Sequence, residues 1–298
     1  MPKEHRIEIE SNEICYFEWG RRSLDRTTVL LVHAAGFHAR VWDATVSLVR
    51  DAVPDSHMLA LDMRGHGRSG NTPPIEWSQF GRDVVSFVDR LDLREVVGVG
   101  HSMGGHSVTQ ACALRPEKFK SLLLVDPVIM APESYLSKKN QNYSSVDEHP
   151  VARRRNQWTS PQEMFERFRQ RHPFDLWRED ILSDYCRYGV NKITNELFEL
   201  ACPPRTEATI YMGSAGMNIA DFIAAISNPV TVMRAFRSDV ERAEMDFAQS
   251  PTWPDLSNHF INGRDLYFPE LTHFIPCLLY TSDAADEGLG VDLGGRRI

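Results

Sequence analysis

Apolar residues along the chain fall into short continuous runs separated by amphipathic segments. Residues 28–33 (Thr-Val-Leu-Leu-Val-His), 57–62, 96–100, 121–126, 229–233 and 265–268 read as core strands. Runs of this kind, without polar alternation, suit strands buried on both faces. Residues 5–10 and 14–19 alternate more regularly around Ser11-Asn12-Glu13, which predicts an N-terminal hairpin. Residues 41–49, the segment after Trp77 carrying Phe80, Val84, Val85, Val88 and Leu91, and residues 103–114 are helical in pattern. Strand and helix alternate, so the expected architecture is α/β, a doubly wound and mostly parallel sheet.

Residues 131–225 break this rhythm. They are rich in charge and aromatic side chains, including Trp158, Phe165, Phe168, Phe174, Trp177, Tyr185 and Tyr188, and no buried-strand run is visible. The stretch is too long for a loop and reads as a helical cap inserted between two parts of the core, 1–130 and 226–276. Arg153-Arg154-Arg155 within it reads as a solvated helix face rather than an anion site. The cap aromatics are expected to form chiefly the cap's own core.

Composition narrows the function classes. Lys+Arg number 33 against 41 Asp+Glu, for a formal net charge of -8. No basic block is present, so nucleic acid and anionic membrane are not expected partners. No apolar run approaches the about 20 residues of a membrane-spanning helix, and the first residues carry no apolar signal core. Cys15, Cys112, Cys186, Cys202 and Cys277 are scattered without a CxxC pair. A disulfide scaffold or zinc site is therefore not expected, and a cytoplasmic location is.

The densest chemical signal is Gly100-His101-Ser102-Met103-Gly104, a G-x-S-x-G pentapeptide between an expected strand and an expected helix. A turn this sharp strains the serine backbone and projects Oγ above the sheet; small residues at 100 and 104 let the chain make it. A serine nucleophile needs a base, and the base needs an orienting acid.

These residues resemble the α/β-hydrolase superfamily, and the resemblance runs from about residue 5 to residue 276. His33-Ala34-Ala35-Gly36, with Trp42 further on, lies where the family has its oxyanion loop, with Ala34 where glycine is usual. Asp62-Met63-Arg64-Gly65-His66-Gly67-Arg68-Ser69 is similar to the family's D-x-R-G-x-G-x-S turn, and Ser102 lies in a common form of its nucleophile elbow. The resemblance implies a capped serine hydrolase acting on carboxylic esters or related acyl compounds, with a small-molecule acyl substrate and no metal or organic cofactor. C–C bond hydrolysis, cofactor-free perhydrolysis and a non-catalytic ligand-binding role stay open on the sequence. Aspartate-nucleophile epoxide hydrolases and dehalogenases of this fold are disfavoured by Ser102.

The family order of serine, acid, histidine orders the remaining candidates. His273 follows the last expected strand and is the implied base; His259 is a distant second, while His106, His149 and His172 are poorly placed. His101 flanks the nucleophile and reads as a packing residue. Asp239, after the 229–233 strand, is the favoured acid, with Asp126 at the end of the 121–126 strand as the alternative. The backbone N–H groups of Ala35 and Met103 are the implied oxyanion donors.

The final segment 277–298 has no apolar period. Cys277-Leu278-Leu279-Tyr280-Thr281-Ser282-Asp283-Ala284-Ala285-Asp286 and Val291-Asp292-Leu293-Gly294-Gly295-Arg296-Arg297-Ile298 resemble, in one frame, the translation of the two constant parts of a transposase-type sequencing-library adapter. The segment is therefore expected to be a non-native tail that packs poorly. The helix with which the family follows its histidine loop is expected to be missing, leaving the His273 loop less restrained.

Overall fold

The computed structural model describes residues 1–23, 26–136, 143–214, 217–238 and 246–278. Its main sheet has eight strands: β1 (Lys3–Ile9), β2 (Asn12–Trp19), β3 (Thr28–Val32), β4 (His57–Leu61), β5 (Val96–His101), β6 (Phe119–Val125), β10 (Pro229–Ala235) and β11 (Asn262–Phe268). Their spatial order is β1-β2-β4-β3-β5-β6-β10-β11. The hairpin β1–β2 and the β2–β4 pair are antiparallel; every other pairing is parallel.

The apolar runs explain why the middle strands are covered on both sides. Successive side chains point to opposite faces. Leu30, Val32, Leu59 and Leu61 pack on one face against Phe80, Val84, Phe87 and Val88 of α2 (Trp77–Arg90) and Val108 of α3 (Met103–Leu114). Leu31, Met58 and Ala60 point the other way, toward Val46 of α1 (Asp43–Ala52) and toward Trp158, Phe165 and Trp177 of the 131–225 stretch. Because the two faces are filled by different elements, a one-residue slip of any central strand would exchange its contacts wholesale.

Between β6 and β10 lies the segment expected to form a cap, with α4 (Pro132–Leu136), β7 (Gln157–Trp158), α5 (Pro161–Phe168), α6 (Glu179–Tyr188), β8 (Val190–Lys192), β9 (Phe198–Leu200), α7 (Pro204–Gly213) and α8 (Ala220–Ala225). It is not purely helical: β7, β9 and β8 form a small antiparallel sheet. Strands of two or three residues are too short to carry a period, which is why the sequence pattern does not reveal them. Trp158, Phe165 and Trp177 are buried. Phe168 stacks on Phe174 with 4.5 Å between ring centroids, and Trp177 lies 5.1 Å from Phe274, so the cap's aromatic cluster continues directly into the core. Packing of this kind suits the expected structural role of the cap aromatics.

The last described element is α9 (Ile275–Leu278). Cys277 is buried in the same cluster, and its carbonyl accepts from the Arg178 backbone N–H at 3.0 Å. Of the segment 277–298, these first two residues are described; 279–298 lie outside the described residues. Among the described residues no helix is long and apolar enough to cross a membrane.

Candidate active site

Three strand ends converge on one point above the sheet. β5 ends at His101, and the chain turns into α3 through Ser102, whose φ of 57° and ψ of -117° lie in a strained region for a non-glycine residue. The turn is held by the Ser102 N–H donating to the Val125 carbonyl (3.1 Å) and the Val128 N–H donating to the Ser102 carbonyl (3.2 Å). It also requires its glycines. A Cβ on Gly100 would stand 2.4 Å from the Gly104 carbonyl, and one on Gly104 would stand 2.2 Å from the Val32 oxygen.

His273 follows β11. Its Nδ1 lies 2.7 Å from Asp126 Oδ2 and its Nε2 lies 3.0 Å from Ser102 Oγ. A carboxylate only accepts, so Nδ1 carries the proton and Nε2 is the acceptor for the serine hydroxyl. His273 is 3% exposed and Ser102 6%, so the contact is shielded from bulk water. The His273 backbone is fixed from both sides: its N–H donates to the Phe247 carbonyl (3.2 Å), and its carbonyl accepts from His101 Nε2 (2.8 Å). His101 therefore has the packing role its position suggested. Burial, with the neighbouring His273 ring adding to it, pushes its pKa down to about 3, so it stays a neutral donor.

The acid that meets His273 is Asp126, the alternative on sequence; Asp239 lies outside the described residues. Asp126 is fully buried at the end of β6, with φ of 43°. Its second oxygen accepts from the Ala235 N–H at 2.9 Å and the Ser250 hydroxyl at 2.6 Å. Thr252 Oγ1 lies 3.3 Å from the same oxygen but 2.7 Å from the Pro127 carbonyl, which takes its single proton. The sequence pattern does not single out Ser250 or Thr252. Nothing local in Ser250-Pro251-Thr252 distinguishes them from an ordinary turn.

The remaining histidine candidates are engaged elsewhere. His106 Nδ1 accepts from Gln110 Nε2 (2.9 Å), His149 stacks on Tyr211, His172 pairs with Asp175 at the surface, and His259 stacks on Trp253.

The loop carrying Ala35 lies on top of β3, where His33 and His66 hold it down. His33 Nε2 accepts from the Met63 N–H (2.9 Å) while its Nδ1 donates to the Ala34 carbonyl (2.7 Å). His66 Nε2 accepts from the Gly36 N–H (3.0 Å) while its Nδ1 donates to the Arg64 carbonyl (3.0 Å). Both rings must be neutral to accept in this way. Burial lowers the pKa of each, to about 4 for His66 and well below the usual imidazole range for His33.

The 62–69 turn supplies this support because its own polar groups are paired. Asp62 accepts from the Ala39 N–H at 2.7 Å and the Arg68 N–H at 2.8 Å. A Cβ on Gly67 would collide with that carboxylate at 2.2 Å. Arg64, 1% exposed, makes a two-pronged contact with Asp83 of α2 at 2.8 and 2.7 Å and donates to the Thr72 carbonyl at 2.7 Å. Asp83→Leu should destabilise the fold by roughly 3–5 kcal/mol, because it strands a buried guanidinium. Urea unfolding checks this; a midpoint within error of the parent would show that the pair is dispensable.

Met103, the other implied oxyanion donor, opens α3 directly after Ser102 and is buried. Among the described residues no group of three or more His, Cys, Asp or Glu is placed to hold a metal ion.

The chain is similar to Esterase YbfF of Escherichia coli (33% identical over 88 residues, 30% of this chain and 34% of that protein). It is also similar to the type I acyl-CoA thioesterase mpaH of Penicillium brevicompactum (34% over 111 residues, 35% and 23%) and to the monoglyceride lipase of Rattus norvegicus (28% over 137 residues, 44% and 45%). The matched segments thus span from about a quarter to under half of these relatives. In fold it resembles E-2-(acetamidomethylene)succinate hydrolase, with a TM-score of 0.71 at 16% identity, covering 94% of this chain and 95% of that one. It likewise resembles the thioesterase domain from the curacin biosynthetic pathway, with a TM-score of 0.64 at 21% identity, covering 90% and 92%. The model of the alpha/beta hydrolase family matches residues 29–286, most of the chain, and this protein belongs to that family.

Proposed function

We propose that the protein is a serine hydrolase of carboxylic esters or thioesters, with Ser102 as nucleophile, His273 as general base and Asp126 as the acid that orients it. The observation that carries this reading is the unbroken chain Ser102 Oγ, His273 Nε2, His273 Nδ1, Asp126 Oδ2, with links of 3.0 and 2.7 Å inside a buried site. The similar esterase, lipase and thioesterase support the substrate class.

In the first half-reaction His273 Nε2 takes the Ser102 proton as Oγ attacks the acyl carbon. The negative oxygen that develops is met by the backbone N–H groups of Met103 and Ala35. The imidazolium that forms is stabilised by Asp126 and returns its proton to the departing alcohol or thiol. Water then enters, is deprotonated by the same nitrogen, and releases the acid. Asp126 acts here in place of Asp239, because its Oδ1 is already saturated by Ala235 and Ser250, which aims Oδ2 at the ring.

A fluorophosphonate probe tests the reading. The parent chain should be labelled at Ser102, and Ser102→Ala should abolish labelling. A folded parent that resists the probe, or labelling that survives in Ser102→Ala, would rule out the assignment.

A further inference from the structure

The arginine run was expected to be solvated, yet its members diverge. Arg153 donates to the Asp147 carbonyl, and Arg155 pairs with Glu163 at the cap surface and lies over the Trp158 ring. Arg154 instead turns inward and meets Glu207 of α7, with 2.6 Å between Nη1 and Oε2. The Glu207 side chain is 5% exposed, and burial raises its pKa while Arg154 opposes that rise. A buried carboxylate held this way needs a structural or chemical reason, since desolvating it is costly.

The reason lies at Gly36. A Cβ there would stand 2.3 Å from Glu207 Oε1 and 2.8 Å from Cδ, so the carboxylate rests directly on the glycine's α-carbon. Gly36 has a φ of +75°, which favours glycine independently. Its carbonyl lies 3.4 Å from the Tyr185 hydroxyl of α6, which donates to it. Phe37, next along, lies 5.3 Å from the Tyr185 ring and 5.5 Å from Trp177. The core grips the Gly36 N–H through His66, whereas the Glu207 and Tyr185 contacts come from the cap.

We infer that Glu207 and Tyr185 are positioning residues through which the seated cap sets the orientation of the Ala35–Gly36 peptide, and with it the oxyanion donor at Ala35. Arg154 compensates the Glu207 charge so that a carboxylate can lie beside a loop whose task is to bind an anion. The inference rests on Ala35 being an oxyanion donor. Misplacing such a donor removes interactions made in the transition state and leaves ground-state binding intact, so the loss falls on kcat.

Two variants test this. Tyr185→Phe keeps the ring packing and removes one handle. The double variant Arg154→Ala/Glu207→Ala removes the other without stranding a charge. With p-nitrophenyl acetate, butyrate and hexanoate, each should lower kcat, the double variant by about tenfold, part of the 100- to 1000-fold that complete loss of a donor costs. KM should stay within about twofold for all three esters, and affinity for a trifluoromethyl ketone, which forms the tetrahedral oxyanion, should fall by the same factor as kcat/KM. Unchanged kcat in both variants overturns the inference, as do losses that appear in KM and grow with acyl length, the mark of a pocket wall. Ser102→Ala separates the two levels. If it keeps parental activity, the triad reading fails; if it is inactive while the cap variants match the parent, only the positioning role fails.

Discussion

Asp126→Asn should lower kcat for ester hydrolysis by about 10,000-fold, with KM within about twofold of the parent. The physical reason is tautomeric. Asp126 Oδ2 accepts the Nδ1 proton of His273 at 2.7 Å, which leaves Nε2 bare to take the proton of Ser102. The Asn amide can satisfy the same neighbours with its oxygen facing Ala235 and Ser250, and its NH2 then points at Nδ1. The ring must move its proton to Nε2, where it can no longer act as a base. Ser102→Ala should cost more, about a million-fold, since it removes the nucleophile itself. Asp239→Asn is the informative comparison and should leave kcat within about twofold of the parent, because the single Nδ1 proton is already committed to Asp126. Steady-state kinetics on one p-nitrophenyl ester decides it. A large loss in Asp239→Asn with little change in Asp126→Asn would return the acid to the position after the 229–233 strand, which the family resemblance favours.

That choice shows what a sequence can and cannot carry. The elbow, the 62–69 turn and the histidine after the last strand are legible because each is local. Their glycines are dictated by contacts within a few residues or with the adjacent strand, as for Gly100 against Gly104 and Gly67 against Asp62. The acid is not local. β6 and β10 are parallel neighbours in register, with Val125 opposite Met233, so both strands end at the same edge of the sheet. Whether Asp126 or Asp239 reaches the histidine depends on which carboxylate is anchored from behind. The anchors, Ala235 N–H and Ser250, stand more than a hundred residues from Asp126. The same limit hides the approach of Glu207 to Gly36. Arg154 sits in a run that has the pattern of a solvated face, and its partner Glu207 is separated from it by β7, β8, β9 and two helices. No spacing rule relates the pair, and neither residue has a periodic context to mark it as buried.

Acid should unfold this protein well before its carboxylates are exhausted. His33, His38, His66, His101 and His106 are all buried, and burial lowers each pKa, to about 3 for His38 and His101, to about 4 for His66 and His106, and well down for His33. Once the pH drops below the reference imidazole value of about 6.5 the unfolded chain takes up protons that the folded chain refuses, so folding stability falls with pH. Three groups act in the opposite sense. Burial raises Asp62 and Asp184 to about 6 and raises Glu207, so these carboxyls bind protons more readily when folded and add stability as the pH falls. His57 is lowered by burial as well, and hydrogen bonds hold the Glu10 and Glu18 carboxyls below their usual range, so the groups that resist protonation in the fold outnumber those that favour it and stability falls as the pH drops below about 6. The urea midpoint should therefore fall steeply from pH 7 to pH 5, and calorimetry in buffers of different ionisation enthalpy should show net proton uptake on unfolding at pH 5. Equal midpoints at the two pH values would refute the account. The cause is written into the site's own geometry: His33 and His66 accept backbone N–H groups at Nε2, and a proton placed there would set N–H against N–H. The rings that hold the 34–36 loop can do so only while uncharged, so acid that protonates them must first break the loop they support.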